Sequence, residues 1–194
     1  MGEVTEILDI PDIPVLETER LILRPLELAD APSVQKTFPQ WDIVKHLSSA
    51  SIPWPYPPDG AETFIRDFAL PAQRAGTEWT WSLRPRSKSE ELIGLIGLYD
   101  KGEANRGFWL APEWQGKGLM SEAVEVVTDF WFVTLGRLLM RIPKAAPNLA
   151  SRRISEKTGM RLVATGEKDY VSGRLPTEVW EITREEWLAQ KTTR

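Results

Sequence analysis

The sequence predicts a single α/β domain whose first half is mostly antiparallel sheet. Three observations carry that expectation. Alternating or continuous apolar runs of strand length recur up to residue 110. After Pro112 the apolar spacing changes from two residues to about 3.6. No internal repeat, low-complexity tract or linker divides the 194 residues.

Residues 1–17, with prolines and scattered acids, read as an extended arm, and 18–190 as the domain. Arg20 to Leu26 alternates as a strand, with Leu21 and Leu23 on one face and Ile22 and Arg24 on the other. Ala29 to Phe38 forms a helix capped by Asp30, with Pro32 in its first turn. Ile52 to Pro58 is a stiff loop carrying Trp54 and Tyr56, because its four prolines remove donors and fix φ. A helix from Gly60 to Ala75 ends at Gly76. Three strands follow: Glu78 to Arg84 with Trp79 and Trp81 on one face, the nearly continuous apolar Glu91 to Tyr99, and Asn105 to Leu110. The polar segments between them suit antiparallel hairpins.

Met120, Ala123, Val124, Val127, Phe130, Trp131 and Thr134 fall on one helical stripe, closed by Gly136. Leu138 to Ile142 is a short buried strand, and Asn148 to Thr158 a helix with Gly159 past its end. Strands at Arg161 to Thr165 and Glu178 to Thr183 and a short helix at Arg184 to Gln190 complete the chain.

Composition excludes several chemistries. A domain of this size buries roughly 70% of its unfolded surface and needs no disulfide or metal staple. With no Cys, thiolate nucleophiles, iron–sulfur clusters and Cys-type zinc sites are out. His46 is the only His, so multi-histidine metal centres are out as well, and no metal is expected. The 24 Lys and Arg against 28 Asp and Glu leave a net charge of −4, which argues against a nucleic-acid partner. The first six residues have neither a basic region nor an apolar core, and Glu6 stands where myristoylation wants Ser or Thr. No apolar run approaches the ~18 residues of a membrane span. The cysteine-free composition fits a reducing cytoplasm.

The segment that carries chemistry is Gly107 to Ala123, GFWLAPEWQGKGLMSEA. A strand ends, Pro112 breaks the ladder, and Gln115-Gly116-Lys117-Gly118 leads into the long helix. Amides at a helix start lack intrahelical acceptors and carry about half a positive charge. Glycines let the backbone lie against an anion, and Lys117 adds charge, a combination suited to a phosphate or pyrophosphate. A P-loop does not fit, because Ala111 and Gly118 occupy its first Gly and its Ser/Thr position. Nor does a dinucleotide fingerprint, because Ser121 stands at its third Gly. A plain tight strand-to-helix turn accounts for the glycines equally well.

Four segments together resemble one family, the GNAT acetyltransferases, in the branch of the ribosomal-protein alanine N-acetyltransferases RimJ and RimL. They are Thr18 to Asp30 (TERLILRPLELAD), Pro53 to Tyr56 (PWPY), the GFWLAPEWQGKGLMSEA stretch, and Asn148, Ser151, Glu156, Lys157, Gly159 and Met160 in NxxSxxxxEKxGM. The resemblance spans Thr18 to Trp187. It implies a mixed, mostly antiparallel seven-stranded sheet, splayed between strands 105–110 and 138–142, with helices on both faces. It further implies that acetyl-CoA enters the splay beside Phe108, Trp109 and Leu110. Its pyrophosphate would rest on amides of Gln115, Gly116, Lys117, Gly118, Leu119 and Met120. Asn148 and Ser151 would approach the thiol end, and Ser151 would protonate the leaving sulfur. Asn148 serves equally as a helix cap, and Ser151 as a solvated helix serine.

Two residues depart from the family pattern. Glu113 stands where the general signature has Gln or Arg. Asn105 stands where relatives commonly place a Glu that acts as general base; Glu103, Asp100 or a water chain are the alternatives. A protein α-amine, with pKa about 7.7–8.0, is partly neutral at cellular pH and leans less on a base than a lysine at about 10.4. Direct attack in a ternary complex is the expected route, because positioning two substrates removes about 7–11 kcal/mol of barrier. The acceptor is a protein N-terminal amine or a small amine. Trp41, His46, Trp54, Tyr56 and Trp81 are candidates to line its site, with core packing the competing role for Trp81. A non-catalytic acyl-CoA-binding module that lost its base is the competing class, and both monomer and homodimer stay open.

Overall fold

A computed structural model describes residues 13–100 and 102–192. Residues 1–12 of the expected arm lie outside the described residues. The rest of the arm joins the domain. Strand β1 (Leu16–Glu17) pairs with β2 (Leu21–Pro25), and the Trp81 indole donates to the Pro14 carbonyl at 2.8 Å. An eighth strand therefore accompanies the seven expected.

The strands form two sheets. In the first, β1, β2, β3 (Glu78–Pro85), β4 (Gly94–Tyr99) and β5 (Arg106–Leu110) lie in the order β1-β2-β3-β4-β5, every pair antiparallel. In the second, β6 (Leu139–Ala145), β7 (Arg161–Tyr170) and β8 (Gly173–Thr183) lie in the order β6-β8-β7, also antiparallel. The sheets part between β5 and β6, where the splay was expected.

Helices cover both faces of the first sheet. Residues of successive strands alternate between faces, so Trp79, Trp81 and Leu83 join Leu21, Leu23, Ile96 and Leu98 under helix α5 (Leu119–Asp129). The α5 stripe read from the sequence is the buried one up to Trp131, with Ala123, Val124 and Val127 at most 1% exposed, whereas its last member, Thr134, is exposed. A π-helical turn, Phe130–Thr134, continues it over the sheet. On the opposite face pack α1 (Ala31–Thr37) and α2 (Trp41–Val44), a single turn with no periodic signature. With them packs α3 (Gly60–Thr63), which runs through the π segment Phe64–Ala69 into α4 (Leu70–Arg74). Leu26, Val34, Phe38, Ile65 and Leu95 form that second core. Helices α6 (Leu149–Lys157) and α7 (Arg184–Thr192) complete the α5 side. Among the described residues no helix is long and apolar enough to cross a membrane.

Strand β3 reads as alternating but is covered on both sides, and its second face carries polar groups that need partners. Arg84 is buried there against the Asp30 carboxylate, and also donates to Ser82 Oγ and the Glu90 carbonyl. Strands β7 and β8 run longer than their apolar cores suggest. Nine of the ten β7 residues are at least partly exposed, so no alternation marks its length.

Removing one member of a buried ion pair strands the other, at a cost of about 3–5 kcal/mol. Asp30→Ala should lower the unfolding free energy by that amount, read as a fall in the chemical denaturation midpoint of that energy divided by an unchanged m-value. A loss under about 1 kcal/mol would show that Arg84 finds compensation elsewhere.

Candidate active site

The gap between the sheets begins at one residue. Asn105 turns its backbone N–H away from β4 to the Arg141 carbonyl, 2.9 Å, while its Oδ1 accepts the Arg141 N–H at 2.8 Å. Its Nδ2 takes over the vacated β4 bond, donating to the Tyr99 carbonyl at 3.1 Å. The position expected to hold a base is therefore the junction that ties β5 to β6. Both suggested substitutes sit beside that junction in ion pairs, Glu103 with Arg141 and Asp100 with Arg137.

Past the junction no strand among the described residues pairs with the outer edge of β5. Ala111 N–H bonds the Ile93 carbonyl and Tyr99 N–H the Asn105 carbonyl, so odd-numbered β5 residues face β4 in the ladder. The polar backbone of Phe108 and Leu110 consequently points into the gap. The Gln115 side chain caps the Leu110 carbonyl at 2.8 Å. Phe108 N–H and C=O and Leu110 N–H have no partner among the described residues. The Trp109 side chain takes the other face and packs 5.3 Å from the Phe38 ring.

The loop after β5 offers a row of amides. Gln115 N–H is spent on the Pro112 carbonyl, which removes it from the expected seat. From Gly116 to Met120 the amides have no acceptor among the described residues. Gly118 is the N-cap of α5 at φ 80°, a conformation that favours glycine. A Cβ there would also stand 3.3 Å from Arg20 Nη2. Arg20 is the residue at this loop that local sequence patterns do not single out. It donates to the Lys117 carbonyl at 3.0 Å and pairs with Glu122 of α5, bringing a guanidinium to the loop from 97 residues away. Lys117 rests its ammonium 5.0 Å from the Trp114 ring centre.

Across the gap, Asn148 caps α6, its Oδ1 accepting Ser151 N–H at 3.1 Å. Ser151 is buried, yet its hydroxyl has no partner among the described residues. The Ser151 carbonyl accepts from Lys144 Nζ at 3.0 Å. Unpaired amides, an open strand edge and an unpartnered hydroxyl fit a long, amide-rich, diphosphate-bearing cofactor such as acetyl-CoA.

The expected acceptor residues separate. Trp41 and Trp54 are 48% and 41% exposed, with ring centres 6.0 Å apart, and make an aromatic surface. Tyr56 is partly buried beneath Phe38, 5.0 Å away. Trp81 is fully buried under α5, on the face away from Trp41 and Trp54, because its indole anchors Pro14. It is therefore core and not an acceptor contact. His46 lies in a bridge that closes one side of the gap, where Val171 N–H bonds the Leu47 carbonyl and Ser172 N–H the Lys45 carbonyl. Burial, aided by Lys45, holds its imidazole below the usual histidine value.

Residues 20–161 match the acetyltransferase (GNAT) domain family. The chain is 28% identical over 153 residues to the uncharacterized N-acetyltransferase YoaA of Bacillus subtilis, covering 76% of this chain and 83% of that protein. The ribosomal-protein-S5-alanine acetyltransferase of Vibrio fischeri has the same fold, with TM-score 0.76 and 16% identity over 90% of this chain and 98% of that one. So does the spermidine N-acetyltransferase of Vibrio cholerae solved with CoA and spermine, with TM-score 0.71 and 19% identity over 88% and 99%.

Burial, reinforced by Arg106, lowers the Lys144 ammonium to about 7, against the pull of Glu178 and Glu156; Arg152, bonded to Glu178, faces the same cluster. The unfolded chain keeps an ordinary lysine near 10.4. Between those values the unfolded state binds a proton that the native state has released, so stability rises with pH. Below about 7 both states carry the proton, and the burial penalty is fully present. Lys144→Met should flatten the stability-versus-pH curve over this window and gain most at about pH 6. Identical pH slopes in the two proteins would refute the depressed amine.

Proposed function

Because the chain belongs to the GNAT acetyltransferases, we propose that it carries an acetyl group from acetyl-CoA to a primary amine by direct attack with both substrates bound. The observation that carries this reading is the set of unpaired polar groups around one gap: amides of Gly116 to Met120, the outer edge of β5, and the Ser151 hydroxyl. The amides, with Arg20 beside them, hold the pyrophosphate. Phe108 and Leu110 pair with the pantetheine arm as a strand would and orient the carbonyl to be attacked. Acetyl-CoA supplies the activated acyl group. The amine nitrogen bonds to the acetyl carbon, the carbon–sulfur bond breaks, and the amine releases one proton to solvent. Ser151 donates a proton to the sulfur and recovers one from solvent.

The acceptor is a protein N-terminal α-amine in preference to a polyamine. Trp41 and Trp54 give an aromatic surface suited to an apolar peptide side chain. Of the acids around α2, α3 and the β7–β8 turn, Asp42 is paired with Lys45, Glu62 and Asp67 with Arg66, and Glu167 and Asp169 with Arg174, which leaves Asp59 at the start of α3 as the one without an ion pair among the described residues. A polycation needs unpaired carboxylates. An α-amine is also the acceptor that tolerates Asn105, because a useful fraction is neutral without a base. The same Asn105 favours the competing class, a module that binds acyl-CoA without turnover.

Gly118→Asp places a side chain and a negative charge at a left-handed position facing the pyrophosphate, and should weaken acetyl-CoA binding at least about tenfold by calorimetry. Unchanged affinity would remove the loop from the cofactor site. Thiol release measured with acetyl-CoA should be faster with short peptides bearing a free apolar N-terminus than with spermidine. Release with neither, despite tight acetyl-CoA binding, would select the non-catalytic module.

A further inference from the structure

We propose that Lys144 is a positioning residue whose amine fixes the first turn of α6 so that the Ser151 hydroxyl meets the sulfur of coenzyme A. The proposal rests on the acetyl-transfer reading above. Lys144 lies on β6 on the same face as Met140 and Ile142, toward α5 and α6, and is 6% exposed. Its Nζ donates to the Ser151 carbonyl at 3.0 Å and bonds the Ser155 hydroxyl one turn further on. Asn148 Oδ1 holds the Ser151 N–H. Ser151 is thus anchored on both sides of its backbone by side chains, and its own hydroxyl is left for a ligand.

A hydrophobic residue would tie strand to helix with less penalty, because a buried charge costs several kcal/mol unless paired. Among the described residues no carboxylate bonds Lys144. Glu178, its register partner on β8, is occupied by Arg152 and the Trp180 indole. Arg106, on the strand across the gap, is buried in the same way. It donates to Thr128 Oγ1, 3.1 Å, and toward the sulfurs of Met140 and Met160, and its Nε has no partner among the described residues. Buried Arg106, joined by Lys144 whenever its amine is protonated, favours negative charge at the gap, the charge a departing thiolate carries. Both protonation states of Lys144 keep an N–H for the Ser151 carbonyl, so the anchoring survives deprotonation.

The test compares the affinities of coenzyme A and desulfo-coenzyme A, which lacks the sulfur, by calorimetry. The native protein should prefer coenzyme A by about fivefold, the worth of one hydrogen bond. Ser151→Ala and Lys144→Met should bring the ratio to about one with desulfo-coenzyme A affinity retained, and Ser155→Ala to an intermediate value. Structural damage alone weakens both ligands together and leaves the ratio unchanged, so a native ratio in Lys144→Met overturns the proposal. A native protein with no preference overturns it too, by removing Ser151 from the sulfur. Should Lys144→Met not fold, Ser155→Ala decides, and an unchanged ratio there overturns the proposal. A native protein that binds neither ligand refutes the coenzyme reading itself.

Discussion

The divergence of β5 from β6, pinned at Asn105, is the constraint on which the site depends. One side chain and one peptide make the junction, and beyond it each strand keeps an edge that its sheet does not use. Unpaired backbone N–H and C=O groups inside a protein are costly, so such an edge persists only where water or a ligand satisfies it. The connections then follow from the chain. The loop that starts α5 follows β5 and the loop that starts α6 follows β6, so two helix N-termini come to the same opening. An unpaired strand edge and a row of free helix-start amides therefore arise from one topological feature.

Holding that opening apart requires stiffness on both sides. The first sheet is packed on two faces by separate cores, one under α5 and one under α1 to α4. Buried Arg84 and Asp30 fasten the second face where an apolar residue would have left β3 polar groups unpaired. The far side is bridged by backbone bonds from residues 45–49 to 169–172, which connect the α2 segment to the β7–β8 turn. Trp41 and Trp54 sit on irregular or single-turn segments of this rigid frame, where variable recognition surfaces are usually placed.

Much of this is legible in the sequence. The alternation in 21–25 and 78–84, the continuous apolar run at 94–99, and the α5 stripe correspond to buried faces because burial is what creates such periods. Where burial is absent the signal vanishes: β7, exposed along most of its length, reads as only half a strand, and the single turn of α2 has no period to read. The glycine loop announced itself through Gly116 and Gly118, whose positive φ values need glycine. Gln115 did not announce that its amide was spent, because that depends on where the Pro112 carbonyl turns. The alternation around Trp81 already points to core packing, and the proline loop around Trp54 to exposure, and the fold settles both by the face and segment each occupies.

By itself the sequence determined most of the buried strands and helices and the position of the glycine loop before α5, because each rests on neighbours within a few residues. The fold alone decided that Asn105 is a junction, that Arg20 guards a loop 97 residues distant, and that Lys144 is buried against Ser151. Those facts depend on which groups are brought into a low-dielectric contact across the sheet. Chain-local propensity carries no record of that, because the energy of a buried polar group is set by its partners in space.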